Sequence, residues 1–430
     1  MRRRFSILMS LLLAGGWEHV HAESADPHIV AAWAAGPFEA RIALDRPVAA
    51  QVAAALVGRT IAFDESRPTV HARSAPGAPI GALRIAAARL ADDGRTLVLT
   101  TDPHPRAATY TLVLPTTGPG KPLQVAYDLT GVEAAWTGAG KDAMPLWTLW
   151  WPTTDPADVR AQLAGSSGHS AALASLDRKG RLALSTLVTL PRGSAALTVR
   201  APTLLEASLN GEDPAKVDGA AVFRTESTAD PMLLSVTVET GRAPGPLSLR
   251  VTTRAGSGPE SPLSVGQSFL PWTPATPPAP AALENVPDLT GGDPLRGAAV
   301  FAGADAKCAS CHRVRGEGGT VGPDLSGLVG RDRKDVYRDI AEPSARINPD
   351  YVPYTLALKD GRVLVGTVRA EGADAVRVSD TEAKVTVVPR AAIEEFRPGA
   401  TSVMPVGLAG AIGAEKLRDL IAFLTTAVAK

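Results

Sequence analysis

Apolar runs broken by turn residues dominate the first two-thirds of the chain. Arg84 to Leu90 and Arg95 to Thr101 flank Asp92-Asp93-Gly94, and Tyr110 to Leu114 follows in the same style. Short runs of this kind around Asp-Gly turns predict strands and hairpins. Residues 23–131 read as one β-sandwich, at about 100 residues a common size for that architecture. Leu182 to Val188, Ala196 to Arg200, Leu205 to Leu209, Leu233 to Val238 and Leu247 to Val251 are further strand candidates, with Asn210-Gly211 as a turn. They predict a second sandwich over 132–270. Residues 271–285 are proline-rich and lack too many amide donors for a ladder or a helix, so they read as an extended linker.

Beyond the linker, over 286–430, the period changes. Pro294 to Lys307 predicts a helix, with Asp293 as its cap and Pro294 at the first position. Leu417, Leu420, Ile421 and Leu424 give the apolar stripe of a last helix over Ala414 to Ala427. Strand patterns return between the two. Tyr354 to Leu358 and Arg362 to Val368 flank Asp360-Gly361, and Ala375 to Ser379 and Lys384 to Val388 form another pair, which predicts a four-stranded meander.

The chain opens Met1-Arg2-Arg3-Arg4, then runs apolar from Phe5 to Ala14 and reaches Val20-His21-Ala22. A basic start, a short apolar run and small residues predict a cleavable signal peptide over 1–22. The run is short of the roughly 20 apolar residues of a membrane helix. The expected location is periplasmic or exported, with no membrane span in the mature chain. The 44 basic and 44 acidic residues balance. No basic stripe points to nucleic acid.

The chemistry sits in Cys308-Ala309-Ser310-Cys311-His312, which holds both cysteines of the chain. This is the spacing of covalent c-type haem attachment. Both thiols add to the vinyl groups, and the adjacent imidazole takes the iron. A redox pair would follow a strand in a βαβ pattern, and none lies upstream. A zinc half-site would need a second ligand pair. The expected cofactor is therefore one covalently attached haem c, with His312 on the metal.

Around the motif the chain resembles class I cytochromes c. Gly297 and Phe301, one turn apart, match the pair that lets the first helix cross the last. Gly322-Pro323-Asp324-Leu325 matches the segment whose proline carbonyl holds the proximal imidazole, a role that falls on Pro323. Met404, in Ser402-Val403-Met404-Pro405, stands where the axial methionine is found, so the resemblance implies His312/Met404 ligation. About 90 residues separate those two positions, more than a minimal domain of that class has. The wider set resembles the haem-binding domain of the planctomycete/verrucomicrobial type. It comprises Cys308 to His312, Gly322 to Leu325, Ala341-Glu342-Pro343-Ser344, Lys359 to Arg362, Ile393-Glu394-Glu395 and Ser402 to Pro405. Ala88 to Leu114 resembles bacterial immunoglobulin-like modules, and Glu206 to Gly211 resembles sandwich modules of carbohydrate-active and surface proteins. The expected fold class is thus two N-terminal immunoglobulin-like β-sandwiches followed by a mostly α cytochrome c domain with a β-meander insertion.

A filled iron favours one-electron transfer over an enzyme with its own substrate. The implied partners are a redox protein, such as a quinoprotein dehydrogenase, and a downstream electron acceptor. Lys307, Arg313, Arg315 and Arg331 read either as a positive rim steering an acidic partner or as a solvated face. Two other classes stay open. Exposed Trp147, Trp150 and Trp151 would suit a carbohydrate-binding or adhesion protein with an accessory haem, although core or interface packing suits them better. A labile sixth site would suit a haem enzyme or sensor. His71, His104 and His169 have no ligand-spaced neighbours and read as structural or solvated.

Overall fold

The computed structural model describes residues 27–64, 79–115, 122–140, 144–241, 245–274, 286–304 and 306–427. The expected signal peptide, His71 and most of the proline-rich linker lie outside them.

The first domain is a seven-stranded array, in spatial order Ile29–Gly36, Glu39–Leu44, Thr96–Thr101, Gly81–Leu90, Thr60–Asp64, Thr109–Leu114 and Leu123–Tyr127. Gly81–Leu90 serves both halves. Its first residues pair with Thr60–Asp64 and the rest pair with Thr96–Thr101, and the register shifts between Ile85 and Ala87. A bulge there bends the strand and lets one ladder wrap a core. Ile42, Leu44, Ile61, Phe63, Ile85, Leu97, Leu99 and Tyr110 fill that core.

The second domain packs two sheets face to face. One runs Leu204–Leu209, Met232–Thr240, Gly180–Val188, Val132–Gly138, Trp147–Trp151; the other runs Ala215–Val217, Ala220–Ser227, Gly193–Arg200, Arg250–Ala255, Ser261–Pro262. Alternate residues of both inner faces share one core around Trp136, Trp151, Leu182, Leu197, Val199 and Val238. Helices Pro156–Gln162 and Ser167–Ser175 close one end.

The expected fold class does not form. The chain is mostly β, 41% strand and 20% helix, and the C-terminal region is not a mostly α cytochrome. Its helices are short: Pro294–Ala302, Cys308–Cys311, Arg333–Ala341, Leu408–Ile412 and Ala414–Thr425. Between them stands a sheet of five strands, in order Val385–Pro389, Ala375–Ser379, Val363–Glu371, Pro353–Leu358, Ile393–Pro398. The fifth strand closes on the far side of Pro353–Leu358. This sheet has its own core of Tyr354, Leu356, Leu358, Val368, Val376, Val378 and Val388. Alternating apolar residues produce that inner face. The sheet is also no simple insertion, because Phe38 of the first domain belongs to the same core.

Candidate functional site

The region around the cysteine motif is built on a close helix crossing. Asp293 caps Pro294–Ala302 by accepting from the amides of Leu295 and Arg296 at 2.8 and 3.3 Å. Gly297 lies against the last helix, Ala414–Thr425, where a Cβ would run into the Asp419 carbonyl oxygen and lie 2.7 Å from the Phe423 Cβ. Phe301 and Phe423 meet at 5.7 Å between ring centres. A polar clamp locks the crossing. Buried Asp419 accepts from the Asp293 amide at 2.7 Å and from Arg296 Nε at 2.7 Å. The Arg296 guanidinium, with the Asp293 amide, holds the Asp419 carboxyl below its ordinary pKa. Sequence reasoning missed this pair; a lone aspartate inside the apolar stripe of the last helix was the available signal.

The motif follows as one turn, Cys308–Cys311, entered through Lys307 in a left-handed conformation. Both thiols are free and half-buried. Burial pushes the Cys308 thiol above its ordinary value. The chain then folds back tightly over the motif. Gly319 donates to the Ala309 carbonyl and Gly322 to the Cys311 carbonyl, each at 2.8 Å. Side chains at Gly318 and Gly319 would strike the backbone of His312 and Ser310. The role of these two glycines was not read from sequence.

His312 Nδ1 lies 2.8 Å from the Pro323 carbonyl oxygen. A carbonyl only accepts, so Nδ1 carries the proton and Nε2 keeps its lone pair. Burial lowers the imidazole pKa, which favours the neutral, ligating form. A Cβ at Gly322 would come within 2.5 Å of the His312 ring. Met404 is half-buried and packs on the apolar cluster that also takes Cys308, Ala309, Leu325 and Leu328. Its amide donates to the Ser402 hydroxyl at 3.1 Å, and the Ser402 amide donates to the Ser344 hydroxyl at 3.0 Å. Ser344 belongs to the Ala341–Ser344 stretch, for which the sequence suggested no role.

These residues fit a covalent haem. Two thiols sit one helical turn apart, an imidazole is held by its far nitrogen, and a glycine leaves the ring face clear. The apolar edge bearing Met404 adjoins them.

The proposed positive rim fares differently. Arg315 lies 4.9 Å from the Phe423 ring centre and donates to the Phe423 and Thr426 carbonyls, at the end of the last helix. Arg331 pairs with Asp339 at 2.9 Å. Lys307 is exposed and Arg313 half-buried.

Trp147, Trp150, Trp151, His104 and His169 are packed. Trp151 is fully buried, Trp147 donates to Ser175, and Trp150 donates to the Thr130 carbonyl and stacks on Trp33 of the first domain. Buried His169 bonds Ser166 and the Trp150 carbonyl, and buried His104 bonds the Pro37 carbonyl and Tyr127. Among the described residues no group of three or more His, Cys, Asp or Glu could hold a metal ion. No helix there is long and apolar enough to cross a membrane.

Several solved structures resemble parts of the chain weakly. An anti-sigma factor domain-containing protein is 10% identical over 54% of this chain and 84% of its own, with a TM-score of 0.25. One from Clostridium clariflavum is 8% identical over 38% and 51%, with a TM-score of 0.24. The PA14 sugar-binding domain from an RTX adhesin is 13% identical over 33% and 98%, with a TM-score of 0.24. Likenesses this weak carry no argument about this chain. No curated protein matches it. Residues 295–360, however, match the family model described as cytochrome c. That match encloses Cys308 to His312 and Pro323, so this part of the chain is similar to cytochrome c, and covalently bound haem c is the group such a domain implies.

Proposed function

We propose that the chain is an exported monohaem cytochrome c. In this reading Cys308 and Cys311 bind the haem, His312 and Met404 ligate its iron, and Pro323 orients His312. When bound, the haem supplies a one-electron iron couple. A separate dehydrogenase donates, and a downstream carrier accepts.

The observation that carries this reading is the His312–Pro323 bond inside the matched segment. It fixes the tautomer and leaves Nε2 as the nitrogen that would take an iron. The two cysteines would tether the group. Met404 at the apolar edge would supply a thioether ligand, which raises a haem potential. Lys307 and Arg313 remain for steering an acidic partner, since Arg315 and Arg331 are engaged within the fold.

The deciding experiment compares holoprotein with its Met404→Ala variant. A far-red charge-transfer band should appear in oxidised wild type and vanish in the variant, and reduced wild type should refuse carbon monoxide. A wild type that lacks the band and binds carbon monoxide overturns the ligation and favours an enzyme or sensor. The packing of buried Trp151 and the indole hydrogen bonds of Trp147 and Trp150 favour this reading over a sugar-binding one.

A further inference from the structure

The segment carrying Met404 lies between the strand Ile393–Pro398 and the helix Leu408–Ile412 and has no regular structure of its own. Its first end and its middle are nevertheless held. Gly399 donates to the Pro353 carbonyl at 2.8 Å. Pro398 stands opposite Tyr354 in the ladder from which the loop hangs. Ser344 takes the Ser402 amide, and Ser402 takes the Met404 amide.

Those two strands are in turn fastened to the first domain. Tyr354 donates its hydroxyl to the His104 carbonyl at 3.2 Å. The Tyr354 ring stacks on Phe396 at 4.3 Å, and Phe396 lies 4.5 Å from Phe38. The Ala370 amide donates to buried Asp102 at 2.8 Å, and Arg84 donates to the Ala370 carbonyl. Arg390 reaches back over the Phe38 ring at 4.6 Å. Phe38 occupies the turn between Ile29–Gly36 and Glu39–Leu44, and its side chain is buried by this contact. The chain of contacts is packed without a break from Phe38 through Phe396 and Tyr354 to the base of the loop.

We infer that the first β-domain is a positioning element for Met404. Phe38 and the His104 carbonyl hold the two strands that carry the loop, Asp102 holds their neighbour Val363–Glu371 through Ala370, and Ser344 pins the loop's middle. Ligand geometry is sensitive to sub-ångström displacement, and a loop alone sets it poorly. The sheet, held by a second domain, supplies the missing rigidity. The inference rests on the Met404 ligation proposed above.

The test uses full-length holoprotein in five forms: wild type, the Phe38→Ala/Asp102→Ala double variant, Tyr354→Phe, Ser344→Ala and Ser344→Thr. Oxidised samples are read for the far-red band, and reduced samples for carbon monoxide binding. Hydrogen exchange is followed at residues 399–404. The double variant and Ser344→Ala should lose much of the band at neutral pH and admit carbon monoxide, whereas Ser344→Thr keeps wild-type behaviour. Exchange across 399–404 should quicken by about tenfold or more in the double variant and stay unchanged in Ala414–Thr425. Should the double variant fail to fold, Tyr354→Phe carries the test with one hydroxyl removed. Wild-type band, carbon monoxide refusal and wild-type exchange in a folded double variant overturn the inference. A wild type lacking the band defeats the ligation itself, and the exchange data alone then decide whether the first domain holds the loop.

Discussion

Gly297 shows how much one missing methyl group can matter. Its backbone lies against Asp419 with no room for a Cβ. Gly297→Ala should therefore force the two helices apart and destabilise the cytochrome domain by about 1–3 kcal/mol, read as a lower denaturation midpoint of holoprotein. Asp419→Asn keeps an acceptor for the Asp293 amide and removes the charge opposite Arg296. Because the Asp419 carboxyl titrates below its ordinary value, the stability it adds is complete at neutral pH and fades as acid protonates it. The variant should thus lose stability near neutrality and titrate less in acid. At this scale the sequence was informative where chemistry is local. Cys308 to His312, Gly297 and Phe301 carry their meaning in their spacing. Asp419 and Ser344 do not, since each acts on a residue far along the chain.

Elements were legible where alternation alone defines them. Gly180–Val188, Gly193–Arg200 and Met232–Thr240 stand close to where the apolar pattern placed them. Ala220–Ser227 and Ile393–Pro398 were not read as strands, because each is completed by its pairing with a distant neighbour. Ile393–Pro398 is an outer strand whose own pattern is half polar, and only its ladder with Pro353–Leu358 makes it one. The opposite edge, Val385–Pro389, exposes Val385 and Val387 at 47% and 56%. An edge of exposed valines is a template for pairing with another chain. Val387→Lys should reduce light scattering by concentrated protein on warming and leave the melting temperature nearly unchanged. Equal scattering would show that the edge is already protected.

The arrangement of the whole molecule was the least legible level. Nothing in the local pattern announced that Phe38, at a hairpin tip, would be buried by a sheet more than 300 residues later. Two seams join the first domain to the rest, and each contains a buried histidine. His169 meets Trp33 edge-on at 4.8 Å between the first two domains. His104 lies beneath Tyr354 at the other seam, with its carbonyl taking the tyrosine hydroxyl. Burial lowers both imidazoles to about 4. An unfolded chain takes up those protons near pH 6.5 and the folded one resists them. Stability should be complete near neutrality and decline as pH falls from about 6.5 toward 4, by on the order of 3 kcal/mol for each ring. Thermal melts across that range check it, and His169→Gln should flatten the decline.

The seam at Asp102 also sets a timetable. Its partner, Ala370, is made 268 residues later. Throughout that interval, the face bearing Phe38 has nothing to cover it. Cys308 to His312 emerge inside the same interval, before the sheet that closes the seam exists. The thiols are thus presented on a chain that has not yet locked. The final fastening of the Met404 loop must wait for the last strand to find the first domain.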